Sequence, residues 1–307
     1  MNTQSNVLSE SLESQAIPPV ISPSQRVYWS MRRELWENRS IYIAPLSAVA
    51  LVLFGFLISV LGLPHKMRSL PALDPEHQRR AILAPYEFAA GMIMVTTLIV
   101  GVFYALDALY GERRDRSILF WKSLPVSDLT TVLTKASIPI LILPLLTVAL
   151  IVATQFIMLV LSTVILMGAG LSAATLWSQV SFFQMSLLLF YHLGTVHILW
   201  HAPIYCWFLL VSGWARRATF LWAVLPPLAI CFVEKIAFNT SHFASLLVRR
   251  MTGGPEAMPL PGRLPMDPGM HLTPGNFLVS PGLWLGLIVA AGLLAAAVRL
   301  RRYRGPI

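Results

Sequence analysis

The chain has 307 residues, 56 % hydrophobic and 12 % charged, against roughly 25 % charged in a soluble domain. That deficit excludes an ordinary soluble globular protein and indicates a polytopic membrane protein. The net charge is +9, but the basic residues are spread among loops, which sets topology and does not make a nucleic-acid-binding face. Cys206 and Cys231 both lie in apolar runs, read as packing residues, and no disulfide framework or zinc spacing exists.

Residues 1–23 are polar and Ser-rich with no apolar core, so a disordered cytoplasmic tail is expected and a signal peptide is not. Residues 24–40 open with SQRVYWSMRRELWENR, a basic amphipathic helix. Val27, Tyr28, Trp29, Met31, Leu35 and Trp36 fill one half of its wheel, and Arg26, Arg33, Glu34 and Glu37 the other. Arg32 falls on the apolar side and must snorkel. Such a helix lies in the membrane interface, with Trp29, Met31, Leu35 and Trp36 toward lipid.

The region 41–307 reads as a transmembrane domain of six helices. Residues 41–63 carry no charge and are long enough for the first span. Asp74-Pro75-Glu76 is a helix start, with Asp74 as N-cap, and the second span covers about 84–110, passing Pro85. Residues 136–215 contain no Asp, Glu, Lys or Arg. Eighty residues exceed one span, and Gly168 to Ser178 supplies a turn, so helices are expected over 136–167 and 180–212. The fifth, about 217–237, is interrupted by Pro226-Pro227 and expected to be kinked or broken. Residues 239–281 hold seven prolines and read as mostly irregular loop. The sixth helix spans about 282–300 and ends in a run of arginines. With both termini inside, 15 of the 23 basic residues fall on the inner side, as the positive-inside rule requires.

Between the second and third spans stands DALYGERRDRSILFWKSLPVSDLTTVLTK, residues 107–135. Its charges cannot lie in hydrocarbon, so it reads as a charged, helical loop at the membrane surface. Ser127 is the expected N-cap of the next helix. Tyr110-Gly111-Glu112-Arg113, then Leu124-Pro125-Val126-Ser127, then Lys135 resembles the first cytoplasmic loop of type-2 ABC exporter permeases. Asp115-Arg116-Ser117 departs from the glycine and small polar residue usual in that family. The resemblance covers most of the chain through segment count and loop positions. It implies an all-α membrane protein with an N-terminal elbow helix and a cytoplasmic coupling helix between helices 2 and 3. It also implies a bacterial cytoplasmic (inner) membrane location, a second permease copy or related permease, and docking on separate ABC ATPase subunits. The docking residues would be Glu112, Arg113, Arg114, Asp115, Arg116, Leu119, Phe120 and Trp121.

No Gly-Lys dipeptide occurs, so the chain has no P-loop. ATP and magnesium would be bound by the partner, and the chain itself is expected to be no enzyme, with no cofactor and no metal of its own. His192, His197 and His201 lie on the fourth helix. His197-Ile198-Leu199-Trp200-His201 lacks the glutamate base of a zinc protease. The three histidines read as hydrogen-bonding groups inside a bundle, or as the lining of a substrate path. The alternatives to an ABC permease are an ion-coupled secondary transporter, for which broken helices are common, and a polytopic membrane enzyme.

Overall fold

A computed structural model of the chain describes residues 22–69, 74–123, 126–252 and 274–307. Every regular element among them is helical. The expected tail 1–23 lies almost wholly outside the described residues, as do residues 253–273 of the Pro-rich stretch. The elements in order are α1 (Pro23–Glu37), α2 (Ser40–Val60), α3 (Leu63–Ser69), α4 (Pro75–Asp107), α5 (Tyr110–Arg114), α6 (Ile118–Ser123) and α7 (Asp128–Ser137). After a π-helical turn (Ile138–Ile142) come α8 (Leu143–Gly168), α9 (Ala174–Gln179) and α10 (Phe182–Tyr191). A second π-helical turn (His192–His197) leads to α11 (Ile198–Trp200), α12 (Ala202–Trp214) and α13 (Thr219–Phe238). The last elements are α14 (His242–Thr252), α15 (Pro274–Val279) and α16 (Pro281–Tyr303).

Among the described residues, six helical stretches are long and apolar enough to cross a membrane: Ser40–Val60, Pro75–Arg114, Asp128–Gly168, Ala174–Trp200, Thr219–Phe238 and Pro281–Tyr303. That is the architecture of an integral membrane protein. Helices α2, α4 and α8 pack on one another, and α12 packs along α16. One core cluster joins Val52, Tyr86, Ile93, Ile151, Met158 and Leu189. A second joins Ile41, Tyr104, Val132, Ile138, Leu209 and Ala297 at the opposite end of the bundle.

Local signals explain most helix ends. Ser22 Oγ accepts from Gln25 N at 3.3 Å, and Gln25 Oε1 accepts from Ser22 N at 3.1 Å, a reciprocal cap that starts α1. Ser127 Oγ accepts from Thr130 N at 3.1 Å, as its place before α7 predicts. Asp74 precedes α4 but makes no cap bond. Its carboxylate goes instead to His77 Nδ1, 2.6 Å away.

Several expectations are refined. The fourth span is not one helix over 180–212, because His201 stands outside any helix and α12 begins anew with Pro203 in its first turn. Proline has no N–H for the preceding turn. The span expected over 136–167 is continuous with the helix that Ser127 caps, so the run extends from Asp128, and it is loosened at 138–142, where Leu143 N reaches back to Ile138 O. The fifth helix, expected to be kinked or broken, runs without a break through Pro226 and Pro227. Pro227 cannot donate to Ala223 O, and Trp207 Nε1 from α12 donates there instead at 2.9 Å. Helices α14 and α15 fall inside 239–281, of which residues 253–273 lie outside the described residues. Helix α14 is started by Glu234, whose carboxylate accepts from His242 N at 2.6 Å, Phe243 N at 2.8 Å and Thr240 Oγ1 at 2.8 Å.

Candidate functional site

The segment between α4 and α7 is tied into the protein by buried ions. Lys135 Nζ lies 2.9 Å from Glu34 Oε1 and 3.2 Å from Glu112 Oε1. Arg301 pairs with Glu112 Oε2, and its Nε sits 3.1 Å from Asp128 Oδ1. Arg33 bonds Glu34 at 2.6 Å and reaches Glu112 at 3.5 Å. Tyr104 Oη donates to Glu34 Oε2 at 2.9 Å. Arg33, Lys135 and Arg301 thus balance Glu34, Glu112 and Asp128. Buried charges are tolerated only when paired in this way. The cluster joins α1, α5, α7 and α16. Burial alone would push the Glu34 carboxyl up, but Lys135 and Arg33 outweigh it and hold Glu34 below the usual carboxylate range. Glu37, at the rim, is pushed up by burial.

The predicted docking residues separate into two sets. Glu112 and Arg113 are buried. Glu112 belongs to the cluster, and Arg113 Nη1 donates to Gly213 O at 2.8 Å and Ala215 O at 3.1 Å, at the end of α12. Ser212 Oγ in return accepts from the backbone N–H groups of Leu109 and Tyr110, both at 2.8 Å. Arg114, Asp115 and Arg116 are exposed, with Arg114 Nε on Asp115 at 2.9 Å. Leu119 and Phe120 are both 60 % exposed. Trp121 is half-buried under Arg33, whose guanidinium carbon is 3.9 Å from a Trp121 ring centroid.

Of the predicted interfacial residues, Trp29 and Trp36 are exposed and flank Arg32, 5.2 and 4.9 Å from their ring centroids. Met31 and Leu35 are partly buried against the second core cluster. The half of α1 carrying Arg33 and Glu34 therefore faces protein and not water: Glu34 is 1 % exposed.

The histidines sit elsewhere, beside a cavity of about 210 Å³ between α4, the two π-turns, α8, α12 and the end of α14. His197 and His201 stack with centroids 4.3 Å apart. His197 Nε2 lies 3.3 Å from Tyr205 Oη. His201 Nδ1 lies 3.3 Å from His197 O and its Nε2 3.2 Å from Met251 O, and the ring N–H donates to one of these two carbonyls. His192 lines the same cavity. Among the described residues, no group of three metal-ligating side chains converges.

Sequence reasoning missed Glu34, Tyr104, Asp128, Lys135 and Arg301 as one cluster, although Lys135 opening an 80-residue uncharged run was a signal. It also missed Tyr205, Met94 and Met251 around the cavity, for which the sequence carries no signal. No family model matches the chain, and neither does any curated protein or solved structure.

Proposed function

We propose that this chain is the transmembrane permease subunit of a type-2 ABC exporter in a bacterial cytoplasmic membrane, driven by separate ATPase subunits and paired with a second permease. One observation carries the reading. Helix α5 is pinned through Glu112 and Arg113 to α1, α7, α12 and α16, and α6 beside it, held by Trp121 against Arg33, turns Leu119 and Phe120 outward at 60 % exposure. Such a pairing suits a part that receives force and passes it on: the apolar residues give a partner buried area, and the ions couple the movement to four helices. In this reading α6 is the coupling helix and α1 the elbow helix, its exposed Trp29 and Trp36 at the lipid surface. Arg114, Asp115 and Arg116 give register at the rim, and the three histidines line part of the substrate path. ATP and magnesium belong to the partner.

Purification in mild detergent tests this. An ATPase with a P-loop should co-purify. Truncating a buried interface aromatic costs about 2 kcal/mol or more, so Phe120→Ala should lower the co-purified ATPase at least about tenfold while membrane insertion is unchanged. If no P-loop ATPase accompanies the chain, or Leu119→Ala/Phe120→Ala leaves its yield and ATP hydrolysis unaltered, the reading fails.

A further inference from the structure

We infer that the cavity beside His192 is a binding site for a small, uncharged aromatic hydroxyl compound of the phenol class. Its size suits one ring: the volume is about 210 Å³, and an apolar cavity of roughly 150 Å³ already holds benzene.

The chemistry of the wall selects the class. None of the lining residues is a carboxylate, lysine or arginine, so neither a cation nor an anion would find a counter-charge. The hydroxyl protons of Thr97 and Thr147 are committed to their own helices, on Ile93 O at 2.8 Å and Leu143 O at 2.7 Å. Their oxygens have lone pairs left to offer. Tyr205 is engaged with His197, and the His201 N–H with one of two neighbouring carbonyls. Among the described residues, His192 is the lining imidazole with no hydrogen bond of its own. His192 offers one N–H and one acceptor nitrogen while the threonine oxygens only accept, so the wall accepts more than it donates and favours a ligand that brings an O–H. Proline rings and the Met94 and Met251 thioethers complete the lining and favour an aromatic body.

A second observation is independent of this lining chemistry. The two π-helical turns among the described residues, at 138–142 and 192–197, both border this cavity through Pro139, His192, Leu193 and His197. Such turns are costly irregularities that concentrate at functional sites. The site lies inside one protomer and stands whether or not an ATPase drives the protein.

The test uses the full chain in lipid nanodiscs without nucleotide, with ¹⁹F NMR of 4-fluorophenol, fluorobenzene and 4-fluorobenzoate. Empty nanodiscs correct for partitioning. We expect saturable binding of 4-fluorophenol, about tenfold tighter than fluorobenzene, as one added hydrogen bond gives, and none of 4-fluorobenzoate. His192→Leu should bring 4-fluorophenol down to the fluorobenzene level without moving fluorobenzene. Thr97→Val, a near-isosteric change that removes one acceptor, should weaken 4-fluorophenol severalfold and serves if His192→Leu does not fold. Absence of saturable binding overturns the site. Equal binding of phenol and benzene, or preference for the benzoate, overturns the class.

Discussion

At Lys135 one ammonium serves two carboxylates, and at Arg301 one guanidinium serves two more contacts. Removing one member leaves an opposite charge buried and unpaired, which typically costs about 3–5 kcal/mol. Lys135→Met should therefore lower the detergent melting temperature sharply, while Lys135→Met with Glu34→Gln should recover part of the loss. The pH dependence has a definite sign. Glu34 is held below its ordinary value, so its contribution is fully present above the unfolded carboxylate pKa and is lost as pH falls through the folded one. Melting temperature against pH should fall on the acid side, and Glu34→Gln should flatten that fall. Backbone strain is also local. Arg116 has φ 59° and Ala218 φ 50°, left-handed conformations that cost a side-chain-bearing residue about 1 kcal/mol or more. Arg116→Gly and Ala218→Gly should each raise the melting temperature, and a fall at either position would mean that the side chain matters more than the strain.

Helix α13 is exposed nearly everywhere and buries Ala223 alone. Its hold on the bundle includes the Trp207 indole on the carbonyl that Pro227 leaves open. Trp207→Phe keeps the ring and removes the donor, and should cost about 1–3 kcal/mol through the unsatisfied oxygen. Hydrogen exchange should then quicken around 222–228 before it changes in α4 or α8. Helix α14 depends on Glu234 in the same way. Glu234→Ala should speed exchange at His242 and Phe243, the two amides its carboxylate accepts from. Unchanged exchange there would show that α14 is held by its far end, where Trp200 Nε1 donates to Arg249 O at 3.1 Å.

Among the described residues of the whole molecule, connections between helices and the C-terminal segment collect at the ends of the bundle. Residues 33–37, 107–135, 212–215 and 301–307 meet at one. An even number of crossings between these segments puts them on one side. Thirteen residues of α12 separate His201 from that end at Ala215, about 20 Å at 1.5 Å per residue, so the histidine cavity lies well away from it. Asp115 and Ser241 belong to opposite ends. Single cysteines at the two positions, in a background lacking Cys206 and Cys231, should react with an impermeant reagent from opposite faces of sealed vesicles. Reaction of both from one face would reject six crossings.

The sequence alone determined that the chain is helical and apolar enough for six spans, because hydrophobic length needs no knowledge of neighbours. It also determined the starts of α4 and α7, since Pro75 and Ser127 act within one turn. It did not reveal which way α1 faces. The wheel of 24–39 separates Glu34 from Trp36, but only the fold brings Lys135, a hundred residues on, against Glu34 and turns the charged side inward. Helix α14 was hidden for a similar reason: its N-terminal cap is the side chain of Glu234 on the preceding helix, and the prolines nearby mask a short amphipathic run. The split of the docking residues, Glu112 and Arg113 inside and Leu119 and Phe120 outside, is likewise tertiary. Charge and hydropathy mark what a residue prefers, while burial depends on whether another part of the chain brings the partner that satisfies it.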